Sequence, residues 1–411
     1  MSGAAPAPLE RALLDAGPQV LGHVARLLGD LAAAEDVLQE ARARALAAWV
    51  QGLPDSPGAW LMTTARRLAL DALRERSRRA RLAPQAAEPA AEPALPEPVS
   101  DDLLRLVFTA CHPVLSPEAR VALALKVLCG LTVPEIARAH LEREATVAQR
   151  IVRARRLIAE RGVRYEVPGQ AELPARLPAV LETIYLVFNE GYTASEGDAL
   201  VRAEMGRTAL HLARRCAELL PGEPEVLGLA ALLELQASRA AARTDAAGRL
   251  VPIEEQDRSR WDEVAIARGT ALLDRALALH RPGPYQVQAA IAALHARAPA
   301  AGETPWDEIL GLYDVLLRRA PSPVAALARC VALRQVRGPL AALAEVDGLA
   351  GQAALADYHR LPAVRARLLE DLGRAPEAVE EYRRAASMAR NGAERAWLEA
   401  RAEALEVTRG G

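Results

Sequence analysis

An all-α protein is what this sequence predicts, and three observations predict it. Hydrophobic residues make up 51% of the chain but aromatic residues only 3%. Alanine and leucine recur at helical spacing, and no β-branched run alternates as a strand would. A chain of 411 residues has room for roughly two to four domains with cores of their own.

Residues 9–82 read as a compact helical module. The stretch AEDVLQE from Ala34 to Glu40 continues to Trp49 and sets Val37, Ala41, Ala45 and Ala48 on one face. Asp36, Gln39 and Glu40 fall on another face, and Asp36 and Glu40 stand one turn apart, so the acidic surface is contiguous. Residues 51–58 form a turn-rich break in which Ser56 can cap and Pro57 can open the next helix. That helix is expected to bury Leu61, Ala65, Leu68 and Ala72 and to expose Thr63, Arg66, Arg67, Arg74 and Arg76.

Residues 83–102 are rich in proline and glutamate and read as an acidic spacer, unable to form a core or a helix. Residues 103–165 form the next module, with a helix start at Ser116-Pro117-Glu118. Within it Thr132 is a candidate N-cap and Glu135, three residues on, completes a capping box. The helix TVAQRIVRARRLI, residues 146–158, then divides cleanly. Val147, Ile151, Ala154 and Ile158 lie on one side; Gln149, Arg150, Arg153 and Arg156 lie on the other. A cationic face has no use in a core, and a helix-turn-helix is the economical reading.

Beyond residue 168 come long alanine and leucine helices with proline-paired endings, as in RRCAELLPGEP, DRALALHRPGP and DVLLRRAPSP. LLEDLGRAPEAVEEYRRAA, residues 368–386, has its turn, alanine and aromatic at tetratricopeptide offsets. Gly338 and Gly373 lie 35 residues apart, close to the tetratricopeptide period of roughly 34. Residues 166–411 therefore read as a tetratricopeptide-like helical array, irregular in its first third, with a plain helical bundle as the competing reading. The polar breaks at 189–198 and 249–261 are candidate effector sites that compete with ordinary surface loops.

The net charge of −2 hides two basic helices. Residues 66–81 hold seven arginines against two carboxylates, and residues 150–164 hold six against one. Basic stripes on either side of an acidic tether suit a protein that touches DNA at two places. Cys111, Cys129, Cys216 and Cys330 show no paired spacing, which fits a reducing compartment. Cys111 beside His112 reads as a core pair and not as metal ligands. Lys126 is the sole lysine, and no glycine loop precedes it. With no nucleophile, base or metal constellation, neither enzyme activity nor a cofactor is expected. No apolar run reaches membrane-spanning length, so a cytoplasmic protein without a membrane partner is expected.

On these motifs the chain resembles the extracytoplasmic-function (ECF) sigma factors of the sigma-70 family, in the subgroup with a C-terminal tetratricopeptide-like extension. AEDVLQEA at 34–41 resembles the polymerase-binding helix of sigma domain 2. PGAWLMTTARRLALDALRER at 57–76 resembles its promoter-melting and minus-10 segment, and residues 130–158 resemble the minus-35-reading domain 4. The resemblance implies that core RNA polymerase, through its β′ clamp and β flap, and promoter DNA are the partners. It places Asp36, Gln39 and Glu40 on the clamp, and Trp60, Arg66, Arg67 and Arg74 along the separated minus-10 strand. The 51–58 loop would hold a flipped base. Gln149 and Arg153 would reach minus-35 base edges, with Thr146, Arg150, Arg155 and Arg156 on phosphates. The extension would then inhibit, assist polymerase binding, or receive a protein or ligand effector. A helix-turn-helix regulator with a sensor array, not acting as a polymerase subunit, is the alternative function.

Overall fold

The computed structural model describes residues 8–82, 99–139, 142–169, 171–192, 199–245, 249–389 and 392–410. Every major element among them is a helix, and none is long and apolar enough to cross a membrane. The chain divides into two compact units, the first comprising Met1–Gly191 with Leu200–Ala209, the second Tyr192–Ala199 with Leu210–Gly411.

In the first unit, α1 (Pro8–Leu28), α2 (Leu31–Ala48) and α3 (Pro57–Leu82) pack against one another. Asp30 caps α2 by accepting the Ala32 N–H at 2.8 Å. The buried faces are Ala34, Leu38, Ala41 and Ala45 on α2 and Leu61, Ala65 and Ala69 on α3. Ala48 and Ala72, expected inside, are exposed, and Val37 and Leu68 are half-buried. The apolar stripe drifts around a helix of 3.6 residues per turn, and Leu38 and Ala69 take the inner positions.

The spacer expected at 83–102 lies outside the described residues as far as residue 98. Its last four residues are not spacer: α4 (Val99–Ala110) begins at Val99, and Asp102 is almost wholly buried. The reason is packing, since α4 lies against α1 and buries Leu103, Leu104, Val107 and Phe108. At this contact Gly22 comes so close that a Cβ there would stand 2.7 Å from the Asp102 carbonyl oxygen. Asp102 accepts from Arg26 Nε and Arg105 Nη1, both at 2.8 Å, and pairs with His23 Nδ1 at 3.1 Å. Burial alone would push its carboxyl up, but the His23 hydrogen bond and the two guanidiniums outweigh that and hold it below the ordinary carboxylate value. The Tyr165 hydroxyl lies within hydrogen-bond reach of the Gly22 and Asp102 carbonyls, at 3.0 and 3.1 Å.

Next come α5 (Pro117–Val127), α6 (Val133–Ala139) and α7 (Glu144–Glu160), then α8 (Leu173–Tyr192). The expected array was to start at residue 166, yet α8 up to Gly191 belongs to the first unit. Arg176 Nη2 donates to the Phe108 carbonyl at 3.1 Å, and Arg120 pairs with Glu182 at 2.7 Å. The polar break expected at 189–198 starts later than its composition suggests, because α8 stays helical through Tyr192; residues 193–198 lie outside the described residues.

After α9 (Ala199–Leu219), α10 (Pro224–Ala237) is the hub of the second unit, buried on nearly every side and packed on α11 (Glu263–Ala278) and α12 (Pro284–Arg297). Its Glu234 is fully buried and held by Arg214 at 2.5 and 2.9 Å and by Arg268 at 3.3 Å, the pairing a carboxylate needs to sit inside. From there α13 (Trp306–Arg319), α14 (Pro323–Arg337), α15 (Pro339–Leu349), α16 (Arg360–Asp371), α17 (Ala375–Met388) and α18 (Gly392–Gly410) each pack on the next. The second proline of each paired ending opens a helix, at Pro224, Pro284 and Pro323. Gly338 and Gly373 sit at helix-helix turns with φ of +83° and +70°, which only glycine adopts without strain. A charge ladder repeats with them. Arg329 bridges Asp314 and Glu345 at 2.6 and 2.5 Å, and Arg365 bridges Asp347 and Glu381 at 2.8 and 3.0 Å.

The 249–261 break is a packed connection. It contains two short 3-10 turns, and Trp261 is buried beneath the Arg258 guanidinium. Arg258 Nη1 caps the end of α12 by donating to the His295 and Ala298 carbonyls at 2.6 Å.

Candidate nucleic-acid interface

The turn before α7 is built as its residues dictate. Thr132 N–H and hydroxyl both donate to Glu135 Oε2 at 2.7 Å, and the Glu135 N–H returns to the Thr132 hydroxyl at 3.4 Å. This reciprocal cap starts the seven-residue α6, which is too short to hold itself. Ser116 caps α5 in the same manner, accepting the Ala119 N–H at 3.3 Å.

Val147, Ile151, Ala154 and Ile158 are all buried, so α7 is locked in rotation and its opposite face is fixed outward. Thr146, Gln149, Arg153 and Arg156 are exposed there. Thr146, Gln149, Arg150 and Arg153 line an open groove of about 380 Å³ together with Leu115, Ser116 and Ala119 of the α5 start.

The four arginines of α7 differ sharply in what surrounds them. Arg156 makes a solvent-facing pair with Glu160, one turn on, which water and other ions readily replace. Arg150 is held by both oxygens of Glu142, at 3.1 and 2.8 Å. Arg155 points inward and pairs with Glu35 of α2. Among the described residues Arg153 alone of the four has no carboxylate partner. In the free chain Arg155 ties α7 to α2 through Glu35, and Arg150 is engaged within its own turn.

Sequence reasoning missed Glu35, whose neighbour Asp36 drew attention instead. Burial raises the Glu35 carboxyl above its ordinary value, against the pull of Arg155 and Lys126. Burial likewise lowers Lys126 and Arg42, which lie around it. Helical spacing places Glu35 beside Asp36, but only the position of Arg155 on α7 shows that it has a partner.

The remaining expected residues lie on the surface of the three-helix module. Asp36, Gln39 and Glu40 are exposed on α2, where Glu40 takes Arg44 at 2.9 Å in a surface pair. Leu46 and Val50, 50% and 78% exposed, extend this side of the chain with an apolar end. Arg66, Arg67 and Arg74 are exposed along α3, and Arg74 pairs with Asp71 at 3.0 Å. Trp60 is half-buried, standing edge-on to the buried Trp49 with ring centroids 5.3 Å apart. The loop expected at 51–58 is shorter, because Gln51 closes a 3-10 turn and Pro57 opens α3.

These two surfaces coincide with known families. Residues 13–79 match Sigma-70 region 2, residues 105–158 match Sigma-70 region 4, and residues 176–277 match DUF6596, a family of unknown function. An uncharacterized protein of Rhizobium meliloti is 43% identical over 399 residues, covering 95% of this chain and 94% of that protein. The probable ECF RNA polymerase sigma factor SigI of Mycobacterium tuberculosis is 31% identical over 229 residues, covering 51% of this chain and 78% of that factor. No solved structure matches. The chain belongs to the ECF sigma factors of the sigma-70 family, carrying regions 2 and 4 in its first unit and a helical extension that includes DUF6596.

Proposed function

We propose that this protein is a dissociable initiation subunit that docks on core RNA polymerase through α2 and reads a promoter with α3 and α7. The chemistry of RNA synthesis stays with the polymerase. Asp36, Gln39 and Glu40 present an acidic surface to a basic polymerase helix, where charge complementarity speeds encounter and fixes register. Trp60 offers a ring edge for an unstacked minus-10 base, while Arg66, Arg67 and Arg74 neutralise the backbone of the separated strand. Opening the first bases costs a few kcal/mol, and stacking and pocket contacts offset it.

On the minus-35 duplex Gln149 and Arg153 read base edges, since glutamine pairs with adenine and arginine with guanine in the major groove. Thr146 and Arg156 contact phosphates beside them. The observation that carries this reading is the outward face of α7, whose inner residues are buried and whose Arg153 has no carboxylate partner among the described residues. The C-terminal unit acts on the same step.

Transcription in vitro with purified core polymerase on genomic template tests the proposal. The full chain is expected to direct discrete transcript starts, Arg153→Ala to cut them at least tenfold, and Asp36→Lys with Glu40→Lys to weaken core binding. No stimulation on any genomic template would sink the reading, and DNA affinity without core affinity would favour the regulator alternative.

A further inference from the structure

We propose that Glu142 withdraws Arg150 from the DNA-facing charge of α7, making the pair an internal clasp on the turn and not a phosphate contact. The proposal rests on the reading of α7 as a promoter-recognition helix and deepens it. Spacing alone puts Gln149, Arg150, Arg153 and Arg156 on one cationic face, and the neighbours of each separate them.

Glu142 lies in the turn between α6 and α7, and its backbone N–H donates to the Ala137 carbonyl at 2.9 Å, which anchors it to the end of α6. Glu142 also lies just ahead of the first turn of α7, so the negative end of α6 and the positive end of α7 act on it with opposite sign. Arg150 neutralises the Glu142 carboxylate through one hydrogen bond, Nη1 to Oε1 at 3.1 Å, and a close ion-pair contact, Nη2 to Oε2 at 2.8 Å. The two side chains are 25% and 30% exposed, against 76% and 52% for Arg156 and Glu160. Glu118, at the start of α5, is a second carboxylate within electrostatic reach of Arg150.

A charge-assisted, partly desolvated hydrogen bond is stronger than a solvent-facing ion pair. Glu142 already neutralises the Arg150 charge, so a phosphate reached by the remaining N–H donors gains little charge-charge attraction from it. The phosphate-directed charge of α7 therefore rests on the loosely paired Arg156, with Arg153 directed at base edges. Arg150 acts as a positioning residue, tying the turn to the helix that carries Gln149 and Arg153.

The test measures binding of the full chain to a short duplex of scrambled sequence across a range of salt concentrations. Each neutralised phosphate adds about 0.9 to the slope of log affinity against log salt. Glu142→Gln frees Arg150 and is expected to steepen the slope by about 0.9. The double variant Glu142→Gln with Arg150→Gln keeps net charge and an amide-to-amide hydrogen bond, and is expected to keep the parent slope. A purely structural pair would leave the slope alone in both.

An unchanged slope in Glu142→Gln overturns the proposal. So does a double variant whose slope flattens by about 0.9, because Arg150 would then already hold a phosphate in the parent. A parent chain with no salt-dependent DNA affinity overturns the reading of α7 itself, an outcome distinct from both.

Discussion

A single side chain in the second unit carries a pH dependence that can be measured. Burial first, then the neighbouring guanidiniums of Arg239 and Arg258, lower His295 to about 4. The folded chain therefore keeps His295 neutral where the unfolded chain binds a proton near pH 6.5. Between those values the unfolded state holds more protons, so stability from this residue is complete above about pH 6.5 and declines as pH falls toward 4. The loss amounts to about 3 kcal/mol at most. Trp306 stands edge-on to His295, with ring centroids 5.2 Å apart. Urea titrations followed by tryptophan fluorescence are expected to show an acid limb between about pH 6.5 and 4 that is weakened in His295→Asn. An equal limb in that variant would place the proton elsewhere.

Among elements, the crossing of α1 and α4 is the contact most sensitive to one added carbon. A Cβ on Gly22 would meet the Asp102 carbonyl oxygen at 2.7 Å and the Tyr165 hydroxyl at 3.3 Å. The first of these is backbone and cannot swing aside. Overpacking of this kind costs roughly 1–3 kcal/mol, of which helix propensity returns up to about 1. Gly22→Ala is thus expected to lower stability by about 1–2 kcal/mol, read from the denaturation midpoint of the first unit. A higher midpoint would show that the helices can part without loss. The same contact explains why composition misled at 99–102, where an acidic run ends in a buried Asp102 that three basic side chains surround.

For the whole chain, the place to cut is after Ala209, where the first unit ends, and not the end of α7. Stopping after Arg164 removes Tyr165 and exposes Phe108, Cys111 and Arg120, which α8 covers or pairs with through Arg176, Thr183 and Glu182. Losing several buried apolar side chains of α8, among them Leu177, Val180, Leu181 and Ile184, removes about 1.5–3 kcal/mol for each. A chain ending at residue 164 is expected to aggregate or bind a hydrophobic dye, and one ending at residue 209, which keeps all of the first unit, to stay folded with a cooperative melt. Only the second can show the sign of the extension's effect on transcription. Equal behaviour of the two would mean that α8 adds nothing to the first unit.

Periodicity and punctuation determined much of this protein by themselves, because they act over a turn or two of chain. The buried stripe of α7, the Thr132 and Glu135 capping box, the proline-opened helices and the positive-φ turns at Gly338 and Gly373 all follow from local sterics and hydrogen bonding. So does the exposure of Asp36, Gln39, Glu40, Arg66 and Arg67. What only the tertiary structure decided is which charged residues are already engaged. Arg150, Arg153, Arg155 and Arg156 share one short stretch of sequence, but Glu142 arrives from the turn, Glu35 from a helix more than a hundred residues earlier, and Arg153 is left facing outward. An ion pair depends on the distance between two side chains in space, and no helical period contains that distance.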